Sequence, residues 1–315
     1  MRAVVLNDFE TEPIVADLPT PEPGANELRV RVHASSVNGF DLSVLNGGVK
    51  AWMPYELPIT LGRDYAGVVD QVGEAVTRYS VGDEVFGFVL KETLRDGTWA
   101  DFVVVPEDMH VGRKPKGIGF DQAGALPLAG VAAMKAVEGI APSEGDRVLI
   151  VGASGGVGGF ALQLAVAHGA RVVATAGPED EERLRQLGAA ETIDFTNEDV
   201  AAVVRERYPD GVDALIDLVT PAARLGALAD LVRSGGRVAT TTGAADADEL
   251  AQREIETTNV WASAEPETLE RLARHAENGG LRVTFEEIFP LERAAAAIDA
   301  FTRGTHGKIG IAVAG

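Results

Sequence analysis

One segment limits the fold of this chain more than any other, the glycine-rich run LIVGASGGVGGF at residues 149–160. An apolar stretch leads directly into the pattern Ala153-x-Gly155-x-x-Gly158, and a helix-forming stretch, Val157–His168, follows. Glycine at these positions lets backbone N–H groups and a helix N-terminus approach a diphosphate, and it lets the helix pack close to the strand. Because the motif lies between a predicted strand and a predicted helix, it indicates a dinucleotide-binding βαβ unit.

The same order of strand, turn and helix continues beyond this loop. The predicted strands have continuous rather than alternating hydrophobicity, and they are Arg147–Val151, Arg171–Ala174, Glu191–Ile193, Asp213–Asp217 and Arg237–Thr240. The helices predicted between them are Asp180–Leu187, Val200–Arg207 and Pro221–Arg233. Continuous hydrophobicity indicates strands that are covered on both faces, as in the parallel sheet of a doubly wound α/β fold.

The first 110 residues have a different rhythm, in which short β-rich runs are separated by Gly and Pro. These runs are Leu28–Ala34, Gly67–Val72, Asp83–Phe88 and Trp99–Val105. They predict a small β-barrel. The Ala-rich stretch Phe120–Glu138 predicts one helix that leads from the barrel to the sheet, and strand-like residues 308–313 predict a tail that rejoins the barrel. We therefore expect a catalytic domain at 1–119 and 266–315, and a Rossmann domain at 120–265.

Composition excludes several classes of function. The 315 residues include 28 Lys and Arg against 48 Asp and Glu, a net charge of −20. This charge repels nucleic acid and anionic lipid, so we expect neither as a partner, and no apolar run approaches the roughly 18 residues of a membrane span. A cytoplasmic location is the expectation. The chain has no Cys, and its 5 His show no ligand spacing, so no metal site is predicted.

The cofactor preference is predicted from the end of the second strand. About 20 residues past the glycines, NAD-specific sites place an acidic residue that binds the ribose. Here that position is Thr175, followed by Ala176, with no carboxylate to repel a 2′-phosphate. Only Arg183 and Arg185 are near enough in sequence to pair with such a phosphate, and the acidic run 179–182 before them also suits a helix N-terminus. These residues favour NADPH, with NADH left open.

Motifs along nearly the whole chain resemble one family. They are SVNGFD (36–41), PITLGRDYAGVV (58–69), GDEV (82–85), GTWAD (97–101), AGALPLAG (123–130), LGA (187–189), GVD (211–213) and GKIG (307–310), together with the glycine loop. Their order and spacing are similar to the zinc-independent quinone oxidoreductase branch of the medium-chain dehydrogenases/reductases. The resemblance implies a GroES-like β-barrel catalytic domain, a Rossmann domain with a doubly wound parallel sheet, a homodimer, and reduction of quinones or activated alkenes by NAD(P)H.

The resemblance also carries over individual positions. Zinc-bearing relatives have Cys near position 38 and His-Glu near positions 63 and 64, whereas this chain has Asn38, Arg63 and Asp64. Many members have Thr and Tyr where this chain has Ala132 and Phe195. The predicted cofactor-binding set is Ala153, Ser154, Gly155, Gly156, Val157, Gly158, Thr175, Ala176, Arg183, Phe195, Val219, Thr242, Gly243 and Lys308.

Without metal or Cys, the reactive chemistry must come from the cofactor, and hydrogen-bond donors must stabilise charge on the acceptor oxygen. The predicted catalytic residues are Asn38, Arg63, Tyr65 and Tyr55, and the predicted substrate contacts are Phe40, Asp41, Trp52 and Met53. Several of these residues have a purely structural alternative. Asn38 and Asp41 could serve merely to fix a loop, Arg63 could pair with Asp64, and Tyr65 could be a core residue. Water could deliver the proton.

Three functions remain open from the sequence. The first is a zinc-independent NAD(P)H-dependent reductase of a quinone or α,β-unsaturated carbonyl acceptor, such as an enone, enal or enoyl compound. The alternative is a dinucleotide-binding protein of low turnover with a structural or regulatory role. A third, alcohol dehydrogenation, lacks the metal or the Tyr-Lys base that would remove the hydroxyl proton. No motif in the sequence identifies the acceptor.

Overall fold

The computed structural model describes residues 1–314. Its strands are β1 (Arg2–Leu6), β2 (Ile14–Asp17), β3 (Glu27–Ser36), β4 (Ile59–Thr60), β5 (Asp64–Val72), β6 (Glu84–Phe88), β7 (Phe102–Pro106), β8 (Val111–Arg113), β9 (Arg147–Val151), β10 (Arg171–Ala176), β11 (Glu191–Asp194), β12 (Val212–Asp217), β13 (Val232–Thr240), β14 (Glu256–Asn259), β15 (Phe285–Pro290) and β16 (Lys308–Ala312). Its α-helices are α1 (Gly39–Leu45), α2 (Phe120–Gly124), α3 (Pro127–Ile140), α4 (Gly156–Ala167), α5 (Glu181–Gln186), α6 (Val200–Arg207), α7 (Ala222–Ala229), α8 (Ala247–Ala251), α9 (Pro266–Glu277) and α10 (Ala294–Thr302). None of these helices has the length and apolar character that a bilayer span requires.

One compact unit, which we call the parallel-sheet unit, comprises Ala132–Ala262 and Gly280–Arg282. Its six parallel strands lie in the order β11-β10-β9-β12-β13-β14. The chain therefore proceeds outward from β9 on one side and from β12 on the other. The carboxyl ends of β9 and β12 form the topological switch point at which doubly wound sheets bind ligands. The predicted Rossmann fold is confirmed.

The burial of the central strand, β9, explains its continuous hydrophobicity in the sequence. Val148, Leu149 and Ile150 of β9 are all 0% exposed, because β10 and β12 flank the strand and helices cover the sheet. A strand buried on both faces needs apolar side chains at successive positions. The observed bounds of β9 and α6 coincide with the predicted ones.

The second compact unit, the N-terminal unit, comprises Met1–Val131, Ser263–Gly279 and the described residues from Val283 onward. Its larger sheet has the order β15-β16-β3-β5-β6-β8, with β7 also paired to β3, and its smaller sheet has the order β2-β1-β4. Strand β16 pairs antiparallel with β3, with Gly310 opposite Ser36. This register places Lys308 beside the residues that follow β3, and it returns the tail to this unit as predicted.

Two predicted helices are wrong in extent. The single helix predicted at Phe120–Glu138 is interrupted after Gly124, and a new helix begins at Pro127, which lacks an N–H and suits a first helical position. The helix predicted at Pro221–Arg233 ends at Ala229, and β13 begins at Val232. In both places a hydrophobic run continued through a change of element, which periodicity alone does not resolve.

The N-terminal unit also extends further along the chain than the predicted boundary at residue 119. Helix α2 packs on β3 so closely that a Cβ at Gly124 would lie 2.6 Å from the carbonyl oxygen of Ala34. The backbone N–H of Leu128 donates to Oδ1 of Asp64 at 2.7 Å. These contacts attach residues 120–131 to the N-terminal unit.

Candidate active site

The glycine loop of the parallel-sheet unit is a tight turn between β9 and α4. Gly152 has a φ of +87°, in the left-handed region that favours glycine, and Gly155 is the N-cap of α4. A Cβ on Gly158 would lie 2.2 Å from the carbonyl oxygen of Gly152 and 2.6 Å from Cα of Ala153. Gly158 therefore allows α4 to begin directly against the loop, which directs the helix N-terminus at the carboxyl edge of the sheet.

Thr175 is hydrogen-bonded to the glycine loop, whereas the hydroxyl of Ser154 is unpaired among the described residues. The N–H of Gly152 donates to Oγ1 of Thr175 at 3.1 Å, so Thr175 ties the loop to the end of β10. Oγ of Ser154 is buried and has no hydrogen-bond partner among the described residues. Because an unpaired buried hydroxyl is costly, this atom fits a site that a ligand oxygen completes.

Arg183 lies at the same loop. Its Nη2 donates to the carbonyl oxygen of Ser154 at 2.8 Å, and its Nε donates to Oδ1 of Asp180 at 2.9 Å. The Asp180 side chain is almost fully buried, whereas that of Arg183 is 21% exposed. The acidic residue therefore orients the guanidinium toward the loop. Asp180 belongs to the acidic run 179–182, which the sequence alone could also explain as a helix N-terminus. Asp180 is the N-cap of α5, and it also orients Arg183.

Other predicted cofactor residues follow the ends of other strands. Phe195 comes directly after β11 and is 55% exposed, and Val219 follows β12 and is 61% exposed. Thr242 follows β13, and its Oγ1 donates to the carbonyl oxygen of Thr220 at 3.1 Å. All three stand at the carboxyl edge of the parallel sheet, where the glycine loop also lies. Their contacts to a cofactor stay predictions.

Asp217 was missed by the sequence reasoning. It ends β12, is 0% exposed, and accepts a hydrogen bond from Oγ1 of Thr220 at 2.6 Å. Oγ1 of Thr240 reaches it at 3.4 Å. Burial raises the pKa of Asp217, and the Thr220 donors oppose the rise. The available signal was an acidic residue that ends an apolar strand at the switch point, beside β9.

In the N-terminal unit, β3 ends beside the first turn of α1. Asn38 is the N-cap of α1, and its backbone N–H donates to Oδ2 of Asp41 at 2.9 Å. Oδ1 of Asp41 accepts the N–H of Gly62 at 3.1 Å. Burial raises the pKa of Asp41 to about 6, while the Arg63 guanidinium and the two N–H donors lower it. Asp41 thus fixes the loop, which was one alternative that the sequence offered.

Asp64 is the centre of a buried polar network. Its Oδ2 accepts hydrogen bonds from Nδ2 of Asn38 at 2.8 Å and from Oγ of Ser36 at 2.5 Å. Nζ of Lys308 lies 3.7 Å from the same oxygen and donates to Oδ1 of Asn38 at 2.9 Å. The Asn38 amide is held at both ends, and Nδ2 has no second hydrogen-bond partner among the described residues. Asp64 pairs with Lys308, and not with Arg63 as the sequence had allowed.

Lys308 and Ser36 are the parts of this network that the sequence did not place. Lys308 was predicted to bind the cofactor, and its Nζ lies on Asn38 and on the carbonyl oxygen of Val37, at 3.3 Å. Burial lowers the pKa of Lys308, whereas Asp64 and Asp41 oppose that change. No short-range pattern marks the contacts of Lys308, because they join the C-terminal strand to residues near position 40. The contact of Ser36 with Asp64 likewise joins two strands that are distant in sequence.

Arg63 is 3% exposed, yet most of its hydrogen-bonding capacity is unused. Nη1 donates to the carbonyl oxygen of Asp96 at 3.3 Å, while Nε and Nη2 have no partner among the described residues. The guanidinium carbon lies 4.9 Å from the ring centroid of Phe40. Burial lowers the pKa of Arg63 to about 10, and nearby Asp41 and Asp96 oppose the change.

The other predicted catalytic and substrate residues fall into a buried group and an exposed group. Tyr65 is 0% exposed, its hydroxyl donates to the carbonyl oxygen of His110 at 3.4 Å, and burial raises its pKa well above the usual value. Met53 is also in the core, at 8% exposed. Trp52 and Tyr55 are 54% and 42% exposed, and Trp52 packs edge-on to Phe40 with ring centroids 6.1 Å apart. Phe40, Trp52 and Arg63 are therefore brought together, whereas Tyr65 is packed in the sheet.

Comparison with known proteins agrees with this architecture. Residues 24–116 match the family described as alcohol dehydrogenase GroES-like domain, and residues 156–286 match the family described as zinc-binding dehydrogenase. The quinone oxidoreductase of Mus musculus is 30% identical, over 98% of this chain and 96% of that protein. The chloroplastic NADPH-dependent alkenal/one oxidoreductase of Arabidopsis thaliana is 31% identical, over 96% of this chain and 76% of that protein.

The structure of the quinone oxidoreductase from Coxiella burnetii superposes with a TM-score of 0.90 at 28% identity, covering 100% of this chain and 99% of that one. With other curated relatives, the match spans about half of the relative's length, 47% in one case and 57% in another. The two relatives that match nearly the whole of this chain and the shared fold decide the assignment. This chain belongs to the quinone oxidoreductase branch of the medium-chain dehydrogenase/reductase superfamily.

Proposed function

We propose that this protein reduces quinones or α,β-unsaturated carbonyl compounds with NADPH and without a metal ion. The observation that carries the proposal is the Asn38 amide. Lys308 holds its oxygen and Asp64 holds one N–H of Nδ2, so the other N–H has a fixed direction. A preoriented donor is what an acceptor oxygen needs when it gains negative charge during reduction. The names of the two relatives that match nearly the whole of this chain support the same acceptor classes.

The residues of the glycine loop fit a dinucleotide. The loop has no side chain where α4 meets it, and the Ser154 hydroxyl is buried without a partner among the described residues. We assign the diphosphate to the loop and the N-terminus of α4, where backbone N–H groups favour negative charge. When bound, the reduced nicotinamide supplies the hydride. The rest of the chemistry is binding, orientation and polarity, which the protein provides.

The polar residues of the N-terminal unit do not fit a zinc ion. The chain contains no Cys. Both carboxylate oxygens of Asp64 already accept hydrogen bonds, and the cations Lys308 and Arg63 lie beside the positions where zinc-bearing relatives have ligands. Zinc sites use thiolate, imidazole or carboxylate ligands, so this donor set argues against one. Metal-independent reduction therefore belongs to the proposal.

For an enone, the balance of the reaction defines what the side chains must do. A hydride bonds to the β-carbon, the electron pair of the C=C bond moves toward the carbonyl oxygen, and a proton from solvent bonds to the α-carbon. Nδ2 of Asn38 donates to the oxygen as its charge grows. Tyr65 has no part in this scheme, because its hydroxyl is committed to a backbone carbonyl inside the sheet.

We expect Asn38→Ala to lower kcat by about 100- to 1,000-fold, the usual cost of removing one donor from a developing oxyanion. The dissociation constant for NADPH should stay within about twofold, because Asn38 and the glycine loop belong to different units. The measurement is the decay of nicotinamide absorbance with a panel of quinones, enals and enones. Asn7→Ala is the matched control, because Asn7 is exposed and lies outside the network.

Each outcome has a distinct meaning. An unchanged kcat in Asn38→Ala would reject the proposed donor. Tight binding of NADPH by the native chain without reduction of any acceptor would reject the reductase and favour the dinucleotide-binding alternative. The homodimer and the cytoplasmic location expected from the sequence stay predictions.

The preference for NADPH over NADH is proposed from Arg183. Its partly exposed guanidinium is held at the loop by Asp180 and by the carbonyl oxygen of Ser154, close to the end of β10. We expect Arg183→Ala to weaken NADPH about 10-fold and NADH less than about twofold, since one charge-assisted hydrogen bond to a phosphate is worth at least about 1.5 kcal/mol. Titration with both coenzymes tests this. Arg185→Ala, which removes a half-exposed arginine paired with Glu181, is the control. Equal losses for the two coenzymes would contradict the assignment.

A further inference from the structure

The strongest unexplained feature of the N-terminal unit is the free edge of Arg63. Nε and Nη2 lie on the same edge of a guanidinium group, and here neither has a hydrogen-bond partner within residues 1–314, while the residue is 3% exposed. Buried polar groups are otherwise hydrogen-bonded in native proteins, and an unpaired cationic donor is among the most costly exceptions. This edge requires an oxygen-bearing occupant.

Neighbouring acidic residues do not supply that occupant. Asp41 is the buried carboxylate whose charge acts most strongly on Arg63, but its oxygens accept the backbone N–H groups of Asn38 and Gly62. Asp96 contributes its carbonyl oxygen to Nη1 and its carboxylate to Lys91. The local charge is balanced, yet the geometry leaves two parallel N–H groups unused.

We propose that this edge of Arg63 binds a carboxylate carried by the acceptor, so that the preferred substrates are unsaturated carbonyl compounds bearing a carboxylate. Two parallel N–H groups on one guanidinium edge match the two oxygens of a carboxylate. The proposal rests on the proposed reductase activity for its biological meaning, but the binding site itself does not depend on turnover.

The surroundings of Arg63 fit such a ligand. The guanidinium carbon lies over the ring of Phe40, 4.9 Å from its centroid, and Phe40 in turn packs edge-on to the exposed Trp52. The ring attracts the cation but supplies no oxygen for the edge formed by Nε and Nη2. The two rings form an apolar wall that leads from solvent to the buried cation, and the carbon skeleton of the acceptor would lie against this wall. The net charge of −20 opposes anions only at long range, and salt near 0.15 M screens it beyond roughly 8 Å.

The test uses two pairs of small molecules that differ only in the carboxylate. The first pair is 4-oxopentanoate and its methyl ester, which have no activated C=C bond, and their binding is measured by calorimetry at about 0.15 M salt. The second pair is the corresponding enones, (E)-4-oxopent-2-enoate and its methyl ester, and KM is measured with NADPH. Two charge-assisted hydrogen bonds, each worth at least about 1.5 kcal/mol, predict that the carboxylate binds on the order of 100-fold more tightly than the ester.

Arg63→Lys is the informative variant, because it keeps the charge beside Asp41 but removes the two-pronged edge. We expect it to reduce the preference for the carboxylate over the ester to within about threefold, mainly through weaker binding of the carboxylate, in a protein that calorimetry shows to be folded. Arg95→Lys is the control, since Arg95 is 63% exposed and pairs with Glu56 on the surface.

Equal affinity of the native protein for the acid and the ester, as a site filled only by water would give, would overturn the proposal. An unchanged preference in Arg63→Lys would do the same. Failure of the reductase function is distinguishable, because 4-oxopentanoate would then still bind in preference to its ester while no acceptor is reduced.

Discussion

Gly158→Ala is expected to abolish useful binding of either coenzyme, with a rise in the dissociation constant on the order of 100-fold. The new Cβ would meet the carbonyl oxygen of Gly152 at 2.2 Å and Cα of Ala153 at 2.6 Å, and both are backbone atoms that only a shift of the loop can relieve. Such a shift removes at least two charge-assisted hydrogen bonds to the diphosphate, each worth at least about 1.5 kcal/mol. Fluorescence titration with NADPH and NADH measures the loss.

The neighbouring residue provides a matched control. Gly159 is also a buried glycine of α4, but a Cβ there has only one neighbour within 4 Å, Cδ1 of Leu187 at 3.8 Å. Gly159→Ala should therefore bind both coenzymes normally and fold with equal or greater stability, since alanine is the better helix former. Full retention of coenzyme affinity in a folded Gly158→Ala protein would refute the assignment of the diphosphate to this loop.

Lys308→Met is expected to lower the free energy of unfolding by about 3–5 kcal/mol, the cost of breaking a buried ion pair. Lys308 is 4% exposed and Asp64 is 0% exposed, so the carboxylate that remains cannot be solvated. For a chain of this length the loss corresponds to a fall in Tm on the order of 10 °C. Differential scanning calorimetry measures it.

Two further variants distinguish the loss of the buried ion pair from a nonspecific loss of stability. Lys91→Met removes a more exposed pair with Asp96 and should cost less than about 1 kcal/mol. The double variant Lys308→Met/Asp64→Asn removes both charges together and should lose less stability than Lys308→Met alone. A Lys308→Met protein as stable as the native one, or a double variant no better than the single one, would contradict the pairing.

Lys308 should affect turnover as well as stability. In Lys308→Met, Oδ1 of Asn38 loses its donor, so the amide is no longer held from both sides. We therefore expect any folded Lys308→Met protein to have a reduced kcat with little change in affinity for NADPH. Lys308→Arg, which keeps the positive charge, should recover part of both properties.

The structure of the glycine-rich loop was predictable, because its determinants are contiguous. Strand, loop and helix N-terminus lie within residues 147–167, and each has a local signature that does not depend on the rest of the chain. The chemistry of the N-terminal unit was predictable only as a set of residue types. Asn38, Arg63 and Asp64 could be named, but their partners could not, and Ser36 and Asp217 were not singled out at all.

The amino-acid sequence by itself determined the doubly wound sheet, the position of its glycine-rich loop and the absence of thiolate ligands, since these follow from local periodicity, glycine placement and composition. Only the tertiary structure decided that Lys308 holds Asn38 across a separation of 270 residues, and that one edge of Arg63 has no partner in the part of the chain that the structure describes. The physical reason is that strand register brings β16 beside β3, and burial then determines which polar atoms find partners. Neither register nor burial is encoded in a short stretch of sequence.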